Sequence, residues 1–155
     1  SMRNDKSLCD YEIRVNGESF FCHKCILIAM SDFFKVMLTG TMKESRQDFV
    51  ELKGFSSSEG IRLALDFFYK GKFDYQTYGG NILSILDTAS QLQINELLNL
   101  CSEYLIKTLN NSNCVSILKL SETYSLKNVT NNCKAYLCQN IIDIYQKSHE
   151  QFSQL

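Results

Sequence analysis

Near its start the chain carries a segment in which apolar and polar side chains alternate on both sides of an Asn-Gly pair. A period of two is typical of strands with one buried face, and Asn-Gly is a favoured two-residue turn between antiparallel strands. The segment is therefore predicted to form a β-hairpin. Its apolar positions are Tyr11, Ile13 and Val15 before Asn16-Gly17, and Phe20 and Phe21 after it.

Two short helices are expected directly after the hairpin. The first runs over residues 23–30, and Ser31 or Asp32 is expected to cap the second. Gly40 is predicted to end the second helix in a left-handed conformation. The tripeptide that follows, Met42-Lys43-Glu44, is interpreted as an exposed docking edge. The apolar residues at helical spacing in the second helix are Phe33, Phe34, Met37 and Leu38.

A third strand and a longer helix come next in the sequence. Phe49, Val50 and Leu52 predict a brief strand that ends at Gly54. The run Ser56-Ser57-Ser58-Glu59 is interpreted as a capping box, in which side chains satisfy the first backbone N–H groups of a helix. Gly71 is predicted to close that helix, and residues 74–80 are predicted to be a loop.

From residue 81 onward the apolar spacing is helical throughout. Two helices are predicted to meet at a tight turn near Gln93, and a polar break over residues 110–113 precedes a second helical pair. The last segment, residues 141–155, is amphipathic but polar and is expected to be held weakly. We therefore expect a mixed α/β core before residue 110 and an all-helical part after it.

The composition is that of a folded globular chain, and it excludes several kinds of partner. The 155 residues are 45% hydrophobic and 21% charged, which is ordinary for a globular protein. With 16 basic and 17 acidic residues the formal net charge is −1, so no strong positive field would attract nucleic acid or an acidic membrane. The longest aliphatic run, residues 26–30, is far below the roughly 20 residues that span a bilayer.

The seven cysteines indicate a reducing environment. Their number is odd, their spacing is irregular, and several fall on apolar helix faces. This pattern favours reduced core thiols over a secreted disulfide framework. We expect the cytoplasm, or else the nucleus, as the compartment.

No constellation of residues predicts catalysis or a metal site. Neither His23 nor His149 has a catalytic partner at a telling spacing, and Cys22-x-x-Cys25 has no second ligand pair of the kind that a structural zinc site needs. No phosphate-binding loop or dinucleotide fingerprint is present. We expect no cofactor, no metal and no enzymatic activity, which leaves the binding of other proteins as the predicted work of the chain.

Five segments, taken in order, resemble the BTB/POZ domain and the start of the BACK domain of kelch-like adaptor proteins. The resemblance covers nearly everything from Cys9 onward, and its five motifs occur in the family's order. The resembling segments are Cys9-Asp10 for the CDV-type opening, His23-Lys24 with Ile26 to Phe34 for the HR-x-VLAA-x-S-x-YF run, Phe67 to Gly71 for the YxYTG ending, Ala89 to Ile94 for the A-x-LLQ segment, and Asn113 to Leu137 for the paired-helix 3-box.

The resemblance implies an α+β fold, a small β-sheet flanked by α-helices, followed by an all-α extension. It places the BTB/POZ domain at residues 9–109 and the 3-box with the start of the BACK domain at residues 110–155. Kelch-like members bind the N-terminal region of cullin-3 and act as substrate receptors of a RING-type ubiquitin ligase. The chain is therefore expected to be a non-catalytic adaptor that binds cullin-3, while a domain outside this chain recruits the substrate protein.

The cullin motif of the family is a hydrophobic residue, any residue, and then Glu, and it falls on Met42-Lys43-Glu44. A flexible thioether can fill an irregular apolar pocket, and a carboxylate beside it can fix the register. An ordinary solvated loop is the alternative interpretation of this tripeptide. Phe33, Tyr104 and Tyr124 are further candidates for the cullin-binding surface, although packing in the core explains the two tyrosines equally well.

Self-association is the second property that the resemblance implies. Asp10, His23 and Lys24 occupy the charged positions near the dimer groove of the family, and a buried hydrogen-bonded pair of Asp10 and His23 is the preferred interpretation of the first two. Members that dimerise by swapping an N-terminal element carry a longer segment than the eight residues that precede Cys9 here. A homodimer is expected of the full-length protein, and the swapped form is not expected of this chain.

Two alternatives stay open. One is a BTB transcriptional regulator that recruits co-repressors through the dimer groove, and the helices after residue 113 argue against it. The other is a structural or viral kelch-like scaffold. Whether kelch repeats or zinc fingers follow in the full-length protein would separate these possibilities.

Overall fold

The computed structural model describes residues 5–153, and its first regular elements are the two strands of the predicted hairpin. Strand β1 is Tyr11–Val15 and strand β2 is Glu18–Cys22. They pair antiparallel, with Tyr11 opposite Cys22 and Val15 opposite Glu18. Asn16 and Gly17 both have positive φ, 49° and 80°, as the favoured two-residue turn requires. The predicted hairpin is confirmed.

A third strand, β3 at Phe49–Leu52, completes a sheet of order β2-β1-β3. It pairs parallel to β1, with Glu12 beside Phe49 and Val15 beside Leu52. Because parallel neighbours need a crossover connection, the helices between β2 and β3 lie within that crossover. The face of the sheet that points into the core carries Tyr11, Ile13, Val15, Phe20, Cys22, Val50 and Leu52.

The crossover holds three helices, α1 at Lys24–Met30, α2 at Asp32–Thr39 and α3 at Lys43–Arg46. Ser31 is the cap of α2, because its hydroxyl accepts the Phe34 N–H at 3.1 Å. The left-handed ending predicted at Gly40 is wrong. Its backbone is extended, with φ −90° and ψ −164°, and a Cβ there would stand 2.9 Å from the Val36 carbonyl oxygen. The position needs a glycine for space.

Helix α4, Ser58–Lys70, packs against α6, Ile82–Gln91, and the short helix α5, Tyr75–Gly79, lies between them in sequence. Gly71 ends α4 with φ 65°, so the predicted stop is confirmed. The loop predicted over residues 74–80 is wrong, because Asp74 accepts the Gln76 N–H and caps α5. The capping box is also wrong. Its Ser57 hydroxyl bonds to Ser84 instead of capping α4.

The remaining helices are α7 at Asn95–Lys107, α8 at Cys114–Thr123 and α9 at Lys127–Ser153. Gln93 has φ 52° and forms the predicted tight turn between α6 and α7. The predicted polar break is confirmed, since Asn113 directly precedes α8 and its side chain accepts the Asn110 N–H within the break. Asn140 has non-helical dihedrals inside α9. Within the predicted last segment, residues 154 and 155 lie outside the described residues.

The chain divides into two compact units, one that ends at Leu98 and one that begins at Asn99. The first holds the sheet with helices α1 to α6 and the start of α7. The second is helical throughout the part that is described. The predicted α+β fold, a small sheet flanked by helices and followed by an all-α extension, is confirmed.

Candidate docking surface

A groove lies in the first unit between α2, α3 and β3. We call it the α2–α3 groove, and its volume is about 430 Å³. The buried side chains in its lining are all apolar, and most of its charged and amide side chains are exposed. Its lining consists of Phe33, Val36, Met37, Met42, Glu44, Val50, Glu51, Leu52, Lys53, Phe55, Gln91 and Gln93.

Helix α2 supplies one wall because its apolar residues point in two directions. Phe34 and Met37 are buried in the core, at 0% and 4% exposure, whereas Val36 is 68% exposed. Phe33 is half-buried, and its ring meets the Phe34 ring edge-on at 5.4 Å between centroids. The helix is thus anchored through one face and offers Phe33 and Val36 to the groove.

The predicted tripeptide forms the start of α3. Met42 is the residue before the helix, and its carbonyl accepts the Ser45 N–H at 3.0 Å and the Ser45 hydroxyl at 2.6 Å. The Met42 side chain is 51% exposed and lines the groove together with the half-buried Glu44, whereas Lys43 is exposed and does not line it. Lys43 and Glu44 are in the first turn of α3 and Met42 directly precedes it, so the last two residues of the tripeptide are helical and do not belong to a loop.

Tyr11 lies buried near Glu44, at 2% exposure. Its hydroxyl has no hydrogen-bond partner among the described residues. Burial, and then the nearby Cys22, Glu44 and Asp48, raise the pKa of Tyr11 to about 12. The hydroxyl is therefore protonated and neutral at physiological pH, and the negative charge on this side of the groove belongs to the carboxylates.

The arrangement can hold an apolar side chain of another protein. Met42, Val36 and Phe33 provide a deformable apolar contact, and Glu44 offers a carboxylate to a donor on the partner. Interfaces of this kind commonly combine an apolar centre with a polar rim. Glu51 and Lys53 on the opposite wall place both signs of charge at the rim, so the groove itself does not select a strongly charged partner.

The predicted buried pair of Asp10 and His23 is wrong. Asp10 is exposed, and its carboxylate accepts the Lys24 N–H at 2.8 Å. His23 is buried at 7% exposure, and its Nδ1 lies 2.7 Å from the Tyr69 hydroxyl, which also accepts the His23 N–H at 3.0 Å. Asp10 is therefore bonded to the backbone of Lys24. The partner of His23 is Tyr69, which approaches it from α4.

The two candidate tyrosines lie in the second unit. Tyr104 is in α7, and its carbonyl accepts the N–H of Thr108, the residue directly after the helix. Tyr124 caps the C-terminal end of α8. Both are half-buried, so each side chain keeps some surface for a contact.

Val36 is a groove residue that the sequence analysis did not identify. The buried face of α2 contains Phe34 and Met37. Val36 is apolar but does not lie on that face. An apolar residue off the buried face of a short helix is the signal that could have identified it. Three other lining residues are distant from α2 and α3 in the sequence, so no local pattern predicts that they belong to the groove. They are Phe55, Gln91 and Gln93.

Residues 5–153 contain neither a membrane-spanning helix nor a metal-binding cluster. No described helix combines the length and the apolar character needed to cross a membrane. Three or more potential metal-ligating side chains do not come together anywhere in that range. The thiols of Cys22 and Cys25 differ in environment, since Cys22 is buried and bonds to the Tyr11 carbonyl at 3.7 Å, and Cys25 is exposed.

Comparison with known proteins identifies the family. A sequence model of the BTB/POZ domain matches residues 1–109. Kelch-like protein 24 from Homo sapiens is 33% identical over 153 residues, which are 99% of this chain and 25% of that protein. Kelch-like protein 26 from Homo sapiens is 31% identical over 147 residues, 95% of this chain and 23% of that protein.

Kelch-like protein 6 from Homo sapiens is 29% identical over 144 residues, 93% of this chain and 23% of that protein. The chain spans about a quarter of the length of the curated relatives it matches. The resemblance to kelch-like proteins is confirmed by these matches. The chain belongs to the BTB/POZ domain family and is a protein-interaction module of that kind.

Proposed function

We propose that this chain is the cullin-binding part of a substrate adaptor for a cullin-3 RING ubiquitin ligase. The N-terminal region of cullin-3 binds at the α2–α3 groove, and the adaptor itself has no catalytic role. The observation that carries the proposal is the position of Met42 and Glu44. The two outer residues of the cullin motif line one groove with Phe33, while the middle residue, Lys43, stays outside it.

This division of roles fits the pattern of the motif, in which only the first and third positions are specified. Met42 supplies an exposed thioether, Glu44 is held by the first turn of α3, and Lys43 is free to vary because it contributes nothing to the groove lining. An exposed apolar side chain that a partner can bury, beside a fixed polar neighbour, is typical of a docking hot spot.

We also propose the domain division 9–109 for the BTB/POZ domain and 110–155 for the 3-box and the start of the BACK domain. The family match over residues 1–109 and the helix pair α8–α9 support it. Tyr104 and Tyr124 belong to the proposal as additional cullin contacts. Three further parts of the proposal rest on the family resemblance. They are recruitment of a substrate by another domain, action in the cytoplasm, and self-association through Asp10, His23 and Lys24.

Titration calorimetry with the purified N-terminal domain of cullin-3 tests the proposal. The unsubstituted chain is expected to bind, and a variant with Met42→Ala and Glu44→Ala is expected to bind roughly thirtyfold more weakly, because truncating true anchors costs about 2 kcal/mol or more. Lys43→Ala is the matched control and should bind like the unsubstituted chain.

Circular dichroism should show that all three proteins are equally folded, since neither Met42 nor Lys43 is buried. Absence of binding by the unsubstituted chain would overturn the proposal. An unchanged affinity of the double variant would show that the groove is not the binding site.

A further inference from the structure

Two buried cysteines meet where the helices of the second unit pack together. Cys114 begins α8 and Cys133 lies in α9, 19 residues further along the chain. Both side chains have 0% exposure. The Cys114 thiol lies against the backbone of Cys133, with 3.7 Å between its Sγ and the Cys133 carbonyl oxygen.

Their surroundings keep both thiols in the protonated form. Burial raises the pKa of Cys133 to about 11, and the neighbouring Cys114 thiol contributes to this shift through its charge and a side-chain hydrogen bond. Burial also raises the pKa of Cys114, and a side-chain hydrogen bond with Cys133 lowers it by a smaller amount. Both thiols are therefore protonated at rest, and the Cys114 sulfur lies directly against Cys133.

The position of this pair in the helical hairpin is specific. Helices α8 and α9 are joined by a short turn around Ser125, which has φ 55°. Near the turn, the hydroxyls of Ser121 and Thr130 lie 2.8 Å apart and link the two helices. Cys114 and Cys133 both lie beyond this link, toward the open end of the hairpin, where the Cys114 thiol contacts the Cys133 carbonyl.

We propose that Cys114 and Cys133 form an oxidisable pair that closes into a disulfide between α8 and α9 when the hairpin opens transiently in the presence of hydrogen peroxide. In the first step one thiolate attacks a peroxide oxygen, the O–O bond breaks, and a sulfenic acid and water form. In the second step the other thiolate attacks the sulfenic sulfur, the S–O bond breaks, and a second water leaves. The two thiols lose two electrons and two protons, and one peroxide is reduced.

Burial makes this a slow reaction that depends on opening of the helix pair. A thiolate is the reacting species, and a buried protonated thiol is inert until the local structure opens. The bond closes a loop that includes the turn around Ser125, so it restricts the unfolded chain and stabilises the packed pair. This inference rests on the contact of the Cys114 thiol with Cys133 and on the burial of both side chains, and it does not depend on cullin binding.

The test uses the full chain with Cys9, Cys25 and Cys138 changed to serine, because these are the cysteines with some exposure. The protein is incubated with hydrogen peroxide at mildly alkaline pH, alkylated, and digested without reduction for mass spectrometry. A peptide that joins Cys114 to Cys133 and is separated by dithiothreitol is expected. The oxidised protein should melt roughly 6–12 °C higher than the reduced one.

Changing Cys114 or Cys133 to serine in this background should abolish the joined peptide, and Cys101→Ser, at another buried cysteine, should leave it unchanged. A parallel incubation with iodoacetamide measures how long the two thiols take to become accessible. If the joined peptide has not formed after that time, or if the pair instead proceeds to sulfinic acids or bonds to other cysteines, the proposal is overturned.

Discussion

Gly60 in α4 lies so close to Thr88 in α6 that a methyl group on Gly60 would overlap the Thr88 Oγ1 and the carbonyl oxygen of Ser84. Gly60 is buried, and Thr88 is only 1% exposed. The two helices therefore contact each other through backbone at this point, and no side chain on α4 separates them.

Replacing Gly60 with alanine is expected to lower the free energy of unfolding by about 1–3 kcal/mol, because α4 and α6 must move apart to admit the methyl group. Urea denaturation measures the change. Gly80→Ala is the control, since a Cβ there has no neighbour closer than 3.7 Å and the backbone is right-handed helical. That change should leave stability unchanged or raise it by up to about 1 kcal/mol. Equal losses in both variants would contradict the expectation.

Val36 and Met37 are adjacent in sequence, but changing them should affect the free energy of unfolding to very different extents. Met37 is 4% exposed and Val36 is 68% exposed. Met37→Ala is expected to lower the free energy of unfolding by about 2–5 kcal/mol, whereas Val36→Glu should change it by less than about 0.5 kcal/mol. If the groove binds cullin-3, Val36→Glu should weaken that binding all the same. Denaturation and calorimetry on the same samples separate the two effects, and a destabilised Val36 variant would place this side chain in the core.

Tyr69 is expected to hold His23 in place. Tyr69→Phe removes the acceptor of the His23 N–H and the partner of its Nδ1, while Nε2 already lacks a partner among the described residues. Leaving buried polar groups unpaired should lower the free energy of unfolding by about 1–3 kcal/mol. Hydrogen exchange should show faster exchange of the His23 amide. Tyr145→Phe, at a tyrosine that is 71% exposed, should change neither quantity.

Alkaline pH is expected to destabilise the chain through Cys101. Burial raises the pKa of this thiol from its ordinary value of 9.0 to about 12. The folded state therefore holds the proton more tightly, and the associated stability is complete below about pH 9 and lost as the pH rises toward about 12. The free energy of unfolding, measured under reducing conditions, should fall over this range. Cys101→Ala should make the fall less steep, and an identical slope in both proteins would rule out this thiol as a cause.

Local signals in the sequence predicted the elements that depend on local chemistry. Asn16-Gly17 and Gly71 predicted a turn and a helix end because both require positive φ, and the structure has them there. The capping box failed for a tertiary reason, since the Ser57 hydroxyl bonds to Ser84 on α6. At Asp74 a local signal was present and was overlooked, because an aspartate before a short polar run is a good helix cap.

In the candidate site, too, the residues of a local motif could be predicted and those brought in by tertiary packing could not. Met42 and Glu44 could be found because they belong to a short contiguous motif. The rest of the groove could not, because Phe55, Gln91 and Gln93 reach it from elements far away in sequence. The partners of Asp10 and His23 were mistaken for the same reason, since Tyr69 approaches His23 from α4.

The α2–α3 groove can form only after β3 has paired with β1, because β3 supplies part of its lining. Phe49 takes its place beside Glu12 only after the chain has closed a long loop around three helices, and such closures are slow and cooperative. A linear peptide that contains Met42-Lys43-Glu44 has none of the walls and should not compete for a partner of the groove. If a partner binds the groove as proposed, it binds only chains in which β3 has paired with β1, so its binding selects folded molecules over nascent or damaged ones.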